Sequence, residues 1–138
     1  NKNRSASNIR TILQKNGGRL GETGSTSHLF FNCGVIHIGK EKFTDEDILE
    51  LSIVVGAKDC ISTKDYHEVV SEKEDFYRVK SKLEKKVDSF SYSGIEWRAY
   101  NDISLTNEQK EKITQILEVL DEDEDVQSIF INCNIELE

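Results

Sequence analysis

Three capping signals divide the chain and do most to restrict its fold. Thr44 is followed three residues later by Asp47, Ser71 by Glu74, and Thr106 by Gln109. A hydroxyl at a helix N-cap and a carboxylate or amide three positions on can each satisfy an orphan backbone N–H. Behind each signal comes an apolar set at helical spacing. The first is Ile48, Leu49, Leu51, Val54 and Val55; the second is Phe76, Val79 and Leu83; the third is Ile113, Ile116, Leu117 and Leu120. Gly56 closes the first helix, and Lys85 and Lys86 oppose the negative dipole end of the second.

An earlier helix is expected behind Ser5, with Ile9, Ile12 and Leu13 on one face and Asn16-Gly17-Gly18 as its stop. Strands fill the intervals. Residues from His28 to Ile38 are apolar and β-rich, with Gly34 expected to form a bulge or bend between two strand segments. Cys60-Ile61-Ser62 and Tyr66 to Val70 read as a hairpin about Lys64-Asp65. Phe90 to Tyr100 forms a further strand with a bulge at Gly94, and Val126 to Asn132 forms a last one.

Placed in order, the central elements run strand, helix, strand, strand, helix, strand. That is the βαββαβ order of a ferredoxin-like sandwich. The expected fold class is therefore α+β with two lobes. A ferredoxin-like domain over 34–99 would be inserted into a discontinuous α+β domain made of 1–33 and 100–138. Each lobe is small, and domains of that size bury only about 60% of their unfolded surface.

Charge narrows the partners. The formal charge is −8, but the first 41 residues hold Lys2, Arg4, Arg10, Lys15, Arg19 and Lys40 against Glu22 and Glu41. Six cations over two carboxylates give +4 there and leave −12 for the rest of the chain. Nucleic-acid affinity comes from cations displacing condensed counterions. Only the opening stretch suits phosphate, so Lys2, Arg4, Arg10, Lys15 and Arg19 are the candidate nucleic-acid-binding residues. The acidic run Asp121–Asp125 is a candidate surface for a basic protein partner, set against its simpler reading as a solvated loop.

Catalytic constellations are not expected. The glycine loop from Gly17 to Ser25 lacks the Gly-Lys-Ser/Thr of a phosphate-binding loop, and it leaves a helix for a strand, the reverse of a dinucleotide fingerprint. His28, Cys33, His37, Cys60, His67 and Cys133 show no zinc-site spacing, and no nucleophile elbow occurs. Paired carboxylates stand at helix ends, where capping or solvation explains them. Trp97 beside Arg98 reads as half-buried core before it reads as a base-stacking platform. We therefore expect a non-enzyme with no catalytic residue, no metal and no cofactor. No run of about 18 apolar residues is present, so no membrane-spanning helix is expected. Three widely spaced cysteines and no targeting segment make the cytoplasm the expected location.

Specific motifs carry a family resemblance. Asn3-Arg4-Ser5-Ala6 through Ile9-Arg10, then Lys15-Asn16-Gly17-Gly18-Arg19-Leu20-Gly21 and Gly24-Ser25, are similar to the signature of the YebC family. Further matches are Gly34-Val35-Ile36, Gly56-Ala57-Lys58-Asp59, Glu74-Asp75-Phe76 and Asp125-Val126-Gln127. Thr26 stands where the family carries Val, Thr11–Leu13 departs from the family's Ala-Phe pattern, and no proline precedes the Glu-Asp-Phe box. The resemblance implies the C-terminal two domains of a three-domain parent, here without its basic N-terminal helical domain. It also implies a cytoplasmic, DNA-binding transcriptional regulator. Related mitochondrial proteins are translational activators, so a ribosome-associated translation factor is the alternative, and a protein-interaction module the second.

Overall fold

The protein is described by a computed structural model covering residues 2–137. The chain forms two compact units, one of Asn1–Phe31 with Arg98–Glu138 and the other of Asn32–Trp97. It is a mixed α+β protein with four helices and one four-stranded antiparallel sheet among the described residues. The elements are α1 (Lys2–Lys15), β1 (Phe30–Gly39), α2 (Asp45–Val55), β2 (Asp59–Ser62), β3 (Tyr66–Glu72), α3 (Phe76–Glu84), β4 (Tyr92–Ala99) and α4 (Asn107–Asp121).

In the 32–97 unit the sheet order is β2-β3-β1-β4. β3 pairs antiparallel with both β1 and β2, with Ile36 opposite Val69 and Cys60 opposite Val69 on the other side. Strand alternation sends Ile36, Ile38 and Val69 to one face. There they meet Ile48 and Val55 of α2, Phe76, Val79 and Leu83 of α3, and Val87, forming the buried core. The helical spacing of Phe76, Val79 and Leu83 survives intact, all three being buried.

Local chemistry explains most element ends. The Thr44 hydroxyl accepts from Asp47 N–H, and the Asp47 carboxylate accepts from Thr44 N–H, a complete capping box. Gly56 closes α2 at φ +80, where a Cβ would be strained, and Ala57 N–H reaches back to Ser52 carbonyl at 2.9 Å. The β2–β3 hairpin turns at Lys64-Asp65. Thr63 Oγ1 accepts from the N–H groups of Asp65 and Tyr66.

Two expectations fail in this unit. Gly34 is not a bulge: β1 is one continuous strand and Gly34 sits in register with Ser71. A Cβ there would overlap Ser71 Oγ and the Phe76 ring, so the glycine exists to let α3 seat on the strand. Nor does Ser71 cap a helix. It lies within β3, where the ladder holds its backbone extended, and a 3-10 turn over Lys73–Asp75 leads into α3. The Asp75 N-cap makes no side-chain capping bond.

In the other unit α1 packs on α4. Ser5 is not its N-cap, because α1 already begins at Lys2 and Ser5 falls inside it. The stop is as expected: Gly17 takes φ +80 and Gly18 N–H bonds Leu13 carbonyl at 2.8 Å. α4 starts with a full capping box between Thr106 and Gln109. Its Ile116 is buried, and its Lys110 Nζ, also buried, donates to Glu136 carbonyl at 2.9 Å. The last expected strand is absent. Residues 126–132 form no strand, and the nearest pairing is an isolated bridge between Ile103 and Cys133, just beyond them. β-branched residues favour a strand only where a neighbour offers a ladder, and here one bridge is all that forms.

Candidate nucleic-acid interface

The five candidate cations all fall at the N-terminal end of one unit. Lys2, Arg4, Arg10 and Lys15 stand on α1, and Arg19 follows in the glycine loop. All five are exposed. They do not make one stripe. At about 100° per residue, Arg4 and Lys15 share a side of α1, Arg10 points about 120–140° away from them, and Lys2 lies near the Ile9 and Leu13 side.

The acidic run comes to meet the first of these. Arg4 Nε donates to Asp125 Oδ2 at 3.0 Å, and Nη2 donates to Oδ1 at 2.8 Å. This hydrogen-bonded guanidinium holds the Asp125 carboxyl below its ordinary value. Asp125 itself is placed by a tight turn in which its N–H donates to Asp123 Oδ1 at 2.8 Å. A shallow groove of about 640 Å³ lies alongside, bordered by Lys2, Ala6 and Ile9 of α1, Leu20 of the loop, and Glu124 and Asp125. The N-terminal half of α1 therefore faces carboxylates of its own unit. Arg10, Lys15 and Arg19 lie toward the other end of the helix and beyond it.

Two polar clusters in the 32–97 unit were missed by sequence reasoning. His37 of β1 donates from Nε2 to Glu68 Oε2 of β3 at 2.9 Å, stacks on Tyr66 at 4.0 Å between centroids, and leans on Tyr92 at 5.2 Å. The pair is cross-strand, His37 opposite Glu68, and only the strand register brings together residues 31 apart. The second cluster surrounds His67, which is fully buried. Its Nε2–H donates to Phe43 carbonyl at 2.9 Å, and its Nδ1 lies 2.7 Å from Ser62 Oγ. Asp45 Oδ1 stands 3.6 Å from that same Nδ1. In a hydrolytic triad the acid and the nucleophile sit on opposite ring nitrogens. Here they share one, and a main-chain carbonyl takes the other. The arrangement pins the β2–β3 hairpin to the segment before α2. Lys40, hydrogen-bonded to Asp45 at 2.7 Å, holds that carboxyl below its ordinary value.

Other candidate chemistry has little to build on. Among the described residues no group of three His, Cys, Asp or Glu side chains is arranged to hold a metal ion. Cys33 is buried, Cys60 and Cys133 are half-buried, and all three are free thiols. Burial, with Asp102 nearby, raises the Cys133 thiol. Trp97 is 42% exposed on β4, more than a core tryptophan. Among the described residues no helix is long and apolar enough to cross a membrane.

The fold and this surface define a class: a two-unit α+β protein with part-buried polar clusters between its strands and a first helix and following loop whose exposed cations outnumber their carboxylates. The family model of the TACO1/YebC second and third domain matches residues 1–133. The chain belongs to the TACO1/YebC family. A probable transcriptional regulatory protein of Pelagibacter ubique is 43% identical over 134 residues, 97% of this chain and 56% of that protein. Another, from Caldicellulosiruptor saccharolyticus, is 38% identical over 133 residues, 96% of this chain and 55% of that protein. The crystal structure of a conserved hypothetical protein from Aquifex aeolicus superposes with a TM-score of 0.87 at 32% identity, covering 97% of this chain and 56% of that one. The chain thus spans a little over half the length of these relatives.

Proposed function

We propose that this chain acts within a DNA-binding transcriptional regulator and contacts phosphate through Arg10, Lys15 and Arg19, with Lys2 and Arg4 at the margin. The observation that carries this reading is the family match over residues 1–133, with curated relatives named as probable transcriptional regulatory proteins. In this reading the 32–97 unit is a ferredoxin-like module inserted in a discontinuous domain, and the protein works in the cytoplasm without catalysis. Exposed guanidinium and ammonium groups at the C-terminal end of α1 and in the following loop suit backbone contact, which positions a protein without reading sequence.

The net charge of −8 favours a second reading. Most of this surface repels duplex DNA, so a ribosome-associated translation factor, docking partly on basic protein, fits the same family. Arg10→Glu with Arg19→Glu, made in a full-length family protein carrying this sequence, tests the interface in both cases. The double variant is expected to lose nucleic-acid affinity and to show a shallower dependence on salt. An unchanged slope removes this stretch from the binding surface. Sedimentation of that protein with lysate separates the two readings, because co-migration with ribosomes and not with chromosomal DNA overturns the regulator.

A further inference from the structure

The helical layer of the 32–97 unit presents an apolar surface that its own core does not use. α2 buries Ile48, Ser52 and Val55 against the sheet, yet its Leu49, Ile53 and Val54 remain 51%, 71% and 70% exposed. A helix that is apolar on both sides is ordinarily covered on both. On neighbouring α3, Tyr77 is 78% exposed. Two contacts show that the helices run antiparallel. Arg78 Nη1 donates to Val55 carbonyl at 3.1 Å at one end, and Lys42, just before α2, donates to Asp88, just after α3, at 3.0 Å at the other.

This arrangement sorts the layer into two ends. Ile53, Val54 and Tyr77 share one. At the other, the start of α2 with Asp45, Glu46 and Asp47 lies beside the finish of α3, where Lys82 is followed by Lys85 and Lys86. α2 holds four carboxylates and no cation, whereas α3 and the two residues after it hold five cations against Glu84.

We propose that this face binds a second copy of the chain through a two-fold axis parallel to the helices, with α2 of one copy over α3 of the other. Such an axis preserves height along the helices. It therefore lays Ile53 and Val54 on the second copy's Tyr77, and Glu46 and Glu50 near its Lys82 and Lys85. A two-fold across the helices would set α2 on α2, carboxylates against apolar side chains. A self-complementary patch is what an isologous dimer requires. Helices of eleven and nine residues are only about 14–17 Å long. The contact thus falls short of the roughly 800 Å² per partner of a standard interface, and the dimer is weak and concentration-dependent.

Sedimentation equilibrium of the 138-residue chain, carried into the high micromolar range, tests this. The wild type is expected to move toward dimer mass as concentration rises. Ile53→Asp with Val54→Asp is expected to stay at monomer mass with an unchanged circular dichroism spectrum, since both side chains lie outside the core. Glu46→Lys with Glu50→Lys is expected to be monomeric alone, and to recover dimer mass when mixed with Lys82→Glu and Lys85→Glu. A wild type that is monomeric at every concentration overturns the proposal, as does a dimer that survives the Ile53 and Val54 substitutions.

Discussion

Arg4 and Asp125 are joined through two guanidinium nitrogens at 3.0 and 2.8 Å, although 121 positions separate them in the chain. The pair fastens the start of α1 to the turn that follows α4. It also sets the electrostatics of the proposed interface, because the cation nearest the start of the family signature is answered from within its own unit.

The contact makes stability depend on pH in a defined direction. Asp125 has its carboxyl held below the ordinary value of 3.8 by Arg4. A carboxyl whose folded pKa is depressed contributes stability above its unfolded pKa and loses it as pH falls through the folded one. Asp125→Asn is therefore expected to lower the melting temperature at neutral pH. The gap from wild type should close in acid below 3.8. Thermal melts across a pH series measure this, and a gap that persists unchanged in strong acid would assign the effect to something other than the ion pair.

The same substitution bears on binding. Asp125→Asn removes a carboxylate beside Arg4 and the Lys2 end of α1. Nucleic-acid affinity should rise, and the slope of log affinity against log salt should steepen by up to about one ion, as expected when one more cation is available to phosphate. Filter binding or anisotropy at several salt concentrations reads both. Weaker binding would mean that Asp125 supports the interface and does not compete with it.

Gly34 is a packing residue. Gly34→Ala places a methyl against Ser71 Oγ and the Phe76 ring, in a strand that cannot shift without breaking its ladder with β3. Overpacking of this kind costs about 1–3 kcal/mol. Urea unfolding should show a midpoint lowered accordingly with the slope unchanged, and a neutral substitution would show that α3 can lift off the strand freely.

Ser71 and Thr106 open similar sequence boxes and should respond in opposite ways. Thr106→Ala removes a hydroxyl that accepts from Gln109 N–H, a loss of about 1 kcal/mol for a helix cap. Ser71 Oγ is buried with no hydrogen-bond partner among the described residues. Relieving an unsatisfied buried hydroxyl is neutral or favourable, so Ser71→Ala should leave stability unchanged or raise it by up to about 1 kcal/mol. Equal losses in the two variants would restore Ser71 as a cap.

That contrast marks how far local reasoning reaches. Thr44 and Thr106 formed their boxes because every atom involved lies within four residues, so the sequence contains the whole interaction. Phe76, Val79 and Leu83 kept their helical period for the same reason. Ser71 carries the same pattern, but its backbone was claimed by Gly34 of β1, 37 positions earlier. Val126 to Asn132 has the composition of a strand, and composition supplies no partner for a ladder.

By itself, then, the chain determined where α2 and α4 begin and where α1 and α2 stop, that it mixes helix with antiparallel sheet, which side chains of α3 reach the core, and that its first 41 residues carry a net positive charge. These depend on backbone capping and periodic apolar burial, which act over one or two turns. Tertiary structure alone decided that Gly34 must yield space to Phe76, that His37 meets Glu68 and Tyr66, and that Asp125 holds Arg4. Each of these needs two distant segments in a particular register, and register is decided by the packing of the whole unit, since a slip of one residue would turn every side chain of a strand to its opposite face.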